Sequence, residues 1–243
     1  MPPETLALAA LVVAAAYVVF GLTGFGATVL ALPLLAHLVP LKFAVALLLL
    51  LDFSASILLG ARSRKGIRFD ELGVLAPFML AGMALGLTVL VNLSERPLLA
   101  ALGVFVLAYA AFGFLRRGTP AALSRLWAMP LGFLGGMLSS LFGTGGVLYA
   151  IYTAGRIQDK NELRATTAAS VLISSSTRIV LFGLAGLLSQ DGLLSAAALL
   201  FPALLAGFAL GSRLHVTVPR AALVRVIYGV LLVAGGSLLL RVS

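Results

Sequence analysis

Long stretches of the chain carry no polar position, and the places where glycines and polar residues interrupt them divide it into segments. The first apolar run, 5–20, ends in Gly21-Leu-Thr-Gly-Phe-Gly26. A second, 27–37, contains Pro33 and stops before Pro40. At 1.5 Å per residue the second run covers about 17 Å against a hydrocarbon core of about 30 Å, which predicts a half-helix or a tilted, partly buried span. Residues 42–60 form a full-length run containing Asp52, a basic loop follows at 62–68, and full-length runs at 71–91 and 97–115 flank a polar turn at 92–96. Beyond a loop at 116–125 the order repeats. A long run at 126–141 meets a break at Gly143-Thr-Gly-Gly146, a short run at 147–154 and a charged loop at 156–164; long runs follow at 165–188, 193–211 and 221–240. The pattern predicts an all-α polytopic membrane protein of about eight to ten segments, each half carrying a glycine-broken short helix.

The halves also align residue by residue. Residues 77–86, Pro-Phe-Met-Leu-Ala-Gly-Met-Ala-Leu-Gly, match 202–211, Pro-Ala-Leu-Leu-Ala-Gly-Phe-Ala-Leu-Gly, at an offset of 125, and Gly24 falls on Gly143 at an offset of 119. Gly82, Gly86, Gly207 and Gly211 are small-xxx-small pairs suited to close helix contact. Each half has an odd number of passes whether its short run crosses the membrane or turns back as a hairpin. The second half therefore enters from the opposite face, and the chain reads as one transmembrane domain of two inverted repeats, about 1–118 and 119–243. Charge agrees. One face receives Arg62, Arg64, Lys65, Arg68, Arg116, Arg117, Arg125, Arg156, Lys160, Arg164, Arg213, Arg220 and Arg225, and the other only Lys42, Arg96 and Arg241. The positive-inside rule makes the first face cytoplasmic and puts both termini outside.

Composition removes the competing classes. The 243 residues are 61% hydrophobic and 10% charged, with a mean hydropathy of +1.14, whereas soluble chains average about 45–50% apolar and about 25% charged. Continuous apolar runs such as 43–51 and 193–205 exclude an outer-membrane barrel, whose strands alternate. The net charge of +9 is spent on short loops and sets topology, so nucleic acid is not an expected partner; the lipid bilayer is. There are no cysteines and two histidines, with no metalloprotease or phosphate-loop motif, so no metal or cofactor is expected. The N-terminus lacks a basic leader and reads as a first span.

Glycine breaks at matching places in inverted halves are the layout of secondary transporters, which bind cargo near the midplane. Helices starting near Gly26 and Gly146 offer free N–H groups and positive dipole ends that favour an anion. The competing reading makes these glycines packing residues only. Arg178 lies 14 residues beyond Arg164, roughly 20 Å deep, too far to snorkel back. Thr167, Ser170, Ser174 and Arg178 share one helix face. Asp52 sits near the middle of its span, with Ser56 one turn on, and aligning Lys42 with Arg164 sets Asp52 against Ser174 and Ser56 against Arg178. Two roles stay open for the charges. Asp52 and Arg178 form an ion pair holding the repeats together, or Arg178 is the anion's cation and Asp52 carries a proton or gates. The site expected on the transport reading comprises Thr23, Gly24, Gly26, Gly143, Thr144, Gly145, Gly146, Ser174 and Arg178, with Asp52 for proton coupling or gating. Tyr149 and Tyr152 read equally as cavity lining or core packing, and His37 reads as interfacial.

The glycine break ending in Pro33, its copy at 143–146, the run Arg-Ala-Thr-Thr-Ala-Ala-Ser at 164–170 and the inverted layout together resemble the TauE/SafE family of sulfite exporters. The likeness covers nearly the whole chain. It implies a permease of the bacterial cytoplasmic membrane for small sulfur-containing anions such as sulfite, sulfoacetate and other organosulfonates. The second copy has Tyr152 where Pro33 would fall, and the first has Ala-Val-Ala-Leu-Leu at 44–48 in place of the small polar run, so the halves are expected to contribute unequally. The reading is a secondary transporter of a small sulfur oxyanion or sulfonate by alternating access, with protons as a candidate coupling partner and a homo-oligomer left open. The rivals are an anion channel of the same architecture and a membrane scaffold subunit. An enzyme is not expected, because the chain offers no catalytic pair beyond Asp52 and no second buried carboxylate.

Overall fold

The computed structural model describes residues 2–23, 26–60, 66–115, 122–214 and 220–242, and among these every regular element is helical. In chain order they are α1 (Pro3–Thr23), α2 (Ala27–Leu35), α3 (Leu41–Gly60), α4 (Phe69–Asn92), α5 (Glu95–Leu115), a 3₁₀ turn (Arg125–Trp127), α6 (Ala128–Phe142), α7 (Gly146–Arg156), α8 (Lys160–Leu184), α9 (Leu193–Leu214) and α10 (Arg220–Val242). Among the described residues six of these, α1, α3, α4, α5, α8 and α9, are long and apolar enough to cross a membrane. Leu11, Val104, Val180 and Val233 are exposed on the outside, as contact with lipid tails requires.

Both predicted breaks are real, and they are built differently. Gly26 caps the start of α2 in the left-handed region at φ 89°. In the second break the left-handed residue is Gly143 at φ 70°; it ends α6, and its N–H donates to the Ser139 carbonyl at 2.8 Å. Any other residue at either φ costs about 1–2 kcal/mol. The short helices hold nine and eleven residues, about 14 and 17 Å at helical rise.

The expected charged loop at 156–164 is largely helix instead. The Asp159 carboxylate accepts from the N–H groups of Asn161 and Glu162, both at 2.9 Å, so α8 starts at Lys160. This cap satisfies orphan donors that the charged composition hid. Of the basic loops, 61–65 and 116–121 lie outside the described residues.

Packing follows the aligned repeat. The most intimate pairs are α4 on α6, α1 on α9 and α5 on α10, with α3 against α8 at the centre. At the first two crossings glycine lets backbones touch. A Cβ on Gly82 would strike the Phe133 carbonyl and one on Gly86 the Met137 carbonyl; one on Gly207 would strike Ala14 and one on Gly211 Val18. Phe133 and Met137 lie 119 residues after Ala14 and Val18, the offset that joins the two breaks, and the glycines are related by 125. The two crossings are thus made by equivalent residues, and the expected packing role of these glycines holds.

Candidate functional site

The broken helices end where α3 and α8 cross. α2 is buried almost along its whole length, and no side chain caps its N-terminus or that of α7. Around these ends lies a cavity of about 30 Å³ whose walls include Gly26, Thr28, Asp52, Gly143, Thr144, Gly146, Tyr149, Ser174 and Arg178. It has room for a water or two.

Most of the expected site therefore converges. Gly145 does not face the cavity: a Cβ there would meet the Gly135 carbonyl and lie 2.7 Å from Ser139 Cβ, so its smallness serves the α6–α7 contact. Gly24 and the Thr23 side chain lie outside the described residues. Gly143 has two reasons to be glycine. Beyond its φ, an added Cβ would lie 2.6 Å from Thr28 Cγ2 and 3.4 Å from Arg178 Nη1.

Asp52 and Arg178 share the cavity without forming an ion pair. Asp52, 8% exposed, accepts a hydrogen bond from the Tyr17 hydroxyl at 2.7 Å and a short one from the Thr28 hydroxyl. Both carboxylate oxygens are thus engaged, and α3 is tied to α1 and to the start of α2. Of the two roles left open for these charges, a direct Asp52–Arg178 pair is not formed; the two hydroxyls take its place. Arg178, 2% exposed, has its guanidinium 5.3 Å from the centroid of the Phe182 ring. Its Nε and Nη2 have no hydrogen-bond partner among the described residues. The Thr144 and Ser140 hydroxyls are equally buried and unpartnered, and the Tyr149 hydroxyl, beside Ser139 and Ser174, makes no well-formed bond. Buried polar groups are nearly always satisfied. Here the Thr144 and Tyr149 hydroxyls and the Arg178 charge line one cavity, which is the chemistry that holds an oxyanion.

The structure also shows residues that sequence reasoning passed over. Tyr17 and Thr28 sit in otherwise apolar runs, and nothing in the pattern separates them from packing residues. Glu71 is a second buried carboxylate, contrary to expectation, although it lies in the first turn of α4, where acids are ordinary. Arg156 contacts it at 2.7 Å, Arg125 at 3.3 Å, and the Tyr152 hydroxyl donates to it at 2.7 Å. Exposed Asp70 joins the same cluster through Arg125 at 3.0 Å and Arg68 at 2.9 Å. At the other end of the molecule exposed His37 pairs with Ser237 at 2.9 Å; burial, and then the Arg241 charge, lower its pKa. That placement fits the interfacial reading.

A family model described as sulfite exporter TauE/SafE matches residues 8–238. The chain is also 31% identical over 193 residues to the probable inner membrane transporter protein TsaS of Comamonas testosteroni, an alignment covering 78% of this chain and 80% of that one. No solved structure matches significantly.

Proposed function

The chain belongs to the sulfite exporter TauE/SafE family, and from that premise we propose that it is a multi-pass inner-membrane transporter moving a small sulfur oxyanion or organosulfonate by alternating access. The observation that carries the reading is Arg178. A buried cation in a membrane protein costs several kcal/mol unless something balances it, and its Nε and Nη2 have no partner among the described residues, beside the starts of two glycine-bounded helices. A bound oxyanion supplies the missing acceptors. In this reading Gly26, Gly143 and Gly146 let backbone N–H groups approach the anion, and Thr144 and Ser174 add hydroxyl donors. Arg178 adds the charge. Gly145 is left out, since its smallness serves packing.

Asp52 supplies proton coupling. Ionised, it balances Arg178 across the cavity; protonated, it leaves one net positive charge, which a monoanion neutralises. The cavity's small volume is that of a closed state, so cargo enters only when the helices around it part, as a carrier requires and an open pore does not. The matched crossings at Gly82–Phe133 and Gly207–Ala14 support the inverted repeat on which such rocking is built.

The test is uptake of sulfite and of a small sulfonate into proteoliposomes holding wild type or Arg178→Gln. Charge-assisted hydrogen bonds are worth about 1.5–3 kcal/mol, so the variant should lose roughly ten- to a hundred-fold in apparent affinity. A folded variant that transports as wild type removes Arg178 from the site. Flux that saturates and follows a pH gradient separates the carrier from a channel.

A further inference from the structure

Transport leaves the second buried carboxylate unused. Glu71 is 2% exposed and held by groups on two segments: Tyr152 and Arg156 of α7, and Arg125 of the 3₁₀ turn before α6. The same helix α7 begins at the cavity, where Gly146, Val147 and Tyr149 form part of the wall. One rigid element about 17 Å long therefore joins the candidate site to the ion cluster.

Between these two ends the surfaces that α7, and the end of α6 beside it, turn toward α8 are lined with hydroxyls. From the cavity outward come Tyr149, Ser139 bonded to Ser174 at 2.6 Å, then Thr153 bonded to Thr167 at 2.7 Å with Ser170 beside them. Thr166 follows, accepting from the Arg68 N–H at 3.0 Å. All are buried. Interhelical hydroxyl pairs also serve as glue in membranes, but the equivalent α2–α3 interface in the first half has only the Thr28–Asp52 bond, at the cavity end. Under the repeat offsets Thr167, Ser170, Tyr149 and Thr153 correspond to Val45, Leu48, Leu30 and Leu34. A packing requirement common to both repeats would be met by the same chemistry in both, and here one interface carries hydroxyls at all four of these positions and the other none.

We infer that the hydroxyl stripe between α7 and α8 is the hydrophilic exit of the cavity toward the face bearing Arg68, Arg125 and Arg156, and that Glu71 is its gate. With Glu71 holding Arg156 and Tyr152, α7 lies shut against α8. When that grip is released, α7 swings away and the hydroxyls take up water along the route. The Glu71 carboxylate is buried while Arg156 and Arg125 reach the surface, so it is costly to leave unpaired and its partners are free to move away, which suits a latch with two discrete states. The α2–α3 interface closes the opposite exit by apolar contact. The inference takes its starting point from the proposed transport site but reads out differently, by accessibility and not by flux.

The chain has no cysteine, so single thiols report cleanly. Ser170→Cys and, as control, Leu48→Cys are made in full-length protein and treated with a membrane-impermeant maleimide in right-side-out and inside-out vesicles. Ser170→Cys is expected to label slowly in the parent chain, and on the order of ten-fold faster with Glu71→Gln, from one side only, with Leu48→Cys unchanged. Equal rates with and without Glu71→Gln, or the same acceleration at Leu48→Cys, overturn the gate. If Glu71→Gln does not accumulate in the membrane, Tyr152→Phe removes one of the bonds without stranding a charge. It should give a smaller rise at Ser170→Cys, and no rise overturns the gate equally. Faster labelling alongside normal transport by Arg178→Gln would keep the gate and discard the proposed anion site.

Discussion

Arg178 and Asp52 were legible one by one, because a charge far from either end of an apolar run stands out against its surroundings. Their relation was not. An arginine and an aspartate on neighbouring helices suggest a pair, yet Asp52 spends both oxygens on Tyr17 and Thr28 and leaves Arg178 to the cavity. The groups that face Asp52 are Tyr17 from α1, Thr28 from α2, and Arg178 from α8 across the cavity, where Tyr149 of α7 also stands. Of the titratable residues on α5 and α9, Glu95 and Arg96 open α5 and Arg213 lies in the last turn of α9; Glu95 itself bonds to the Leu41 N–H, at the far end of α3. Asp52→Asn keeps an acceptor and cannot titrate. It should retain anion exchange in proteoliposomes while an imposed pH gradient no longer accelerates net uptake; a variant that still responds to the gradient excludes Asp52 as the proton carrier.

The two breaks look alike as strings of glycine, and their different construction yields a contrast between helices. Gly26 has open space where a Cβ would go, whereas Gly143 faces Thr28 and Arg178. Gly26→Ala bears only the cost of its φ, about 1–2 kcal/mol, or a few degrees of melting temperature for a chain of this length. Gly143→Ala bears that and also displaces two cavity residues. Thermal unfolding in detergent should show the larger loss for Gly143→Ala, and transport should fall well below wild type in that variant alone. Comparable transport in both would mean that the second break does not shape the site. Short-helix lengths and breaks were readable because glycine and proline act locally; the early start of α8 was not, because an N-cap at Asp159 looks like one more charge in a charged stretch.

The basic residues that the alternation of spans assigns to one face do gather in the folded chain. Arg68, Arg125 and Arg156 meet around Asp70 and Glu71, while Lys42 bonds to the Val91 carbonyl and Arg241 to the Ala36 carbonyl at the other end. With positive-inside orientation, a thiol introduced as Ser124→Cys should label from the cytoplasm and one introduced as Ser94→Cys from outside. Labelling of both from one side would refute the inverted arrangement, and the reverse pattern would overturn only the orientation.

Helical class, the repeat, the glycine crossings and the two breaks all follow from the linear order of residues, since lipid demands internally bonded helices and close contact demands glycine at regular spacing. Only the packed molecule decided which polar residues act together. Tyr17, Thr28, Asp52 and Arg178 come from four helices, and Glu71 becomes buried because α7 and the turn before α6 fold over it. Such groupings depend on how helices cross, and a crossing is set by side-chain contacts between segments too far apart in the chain for any local pattern to encode.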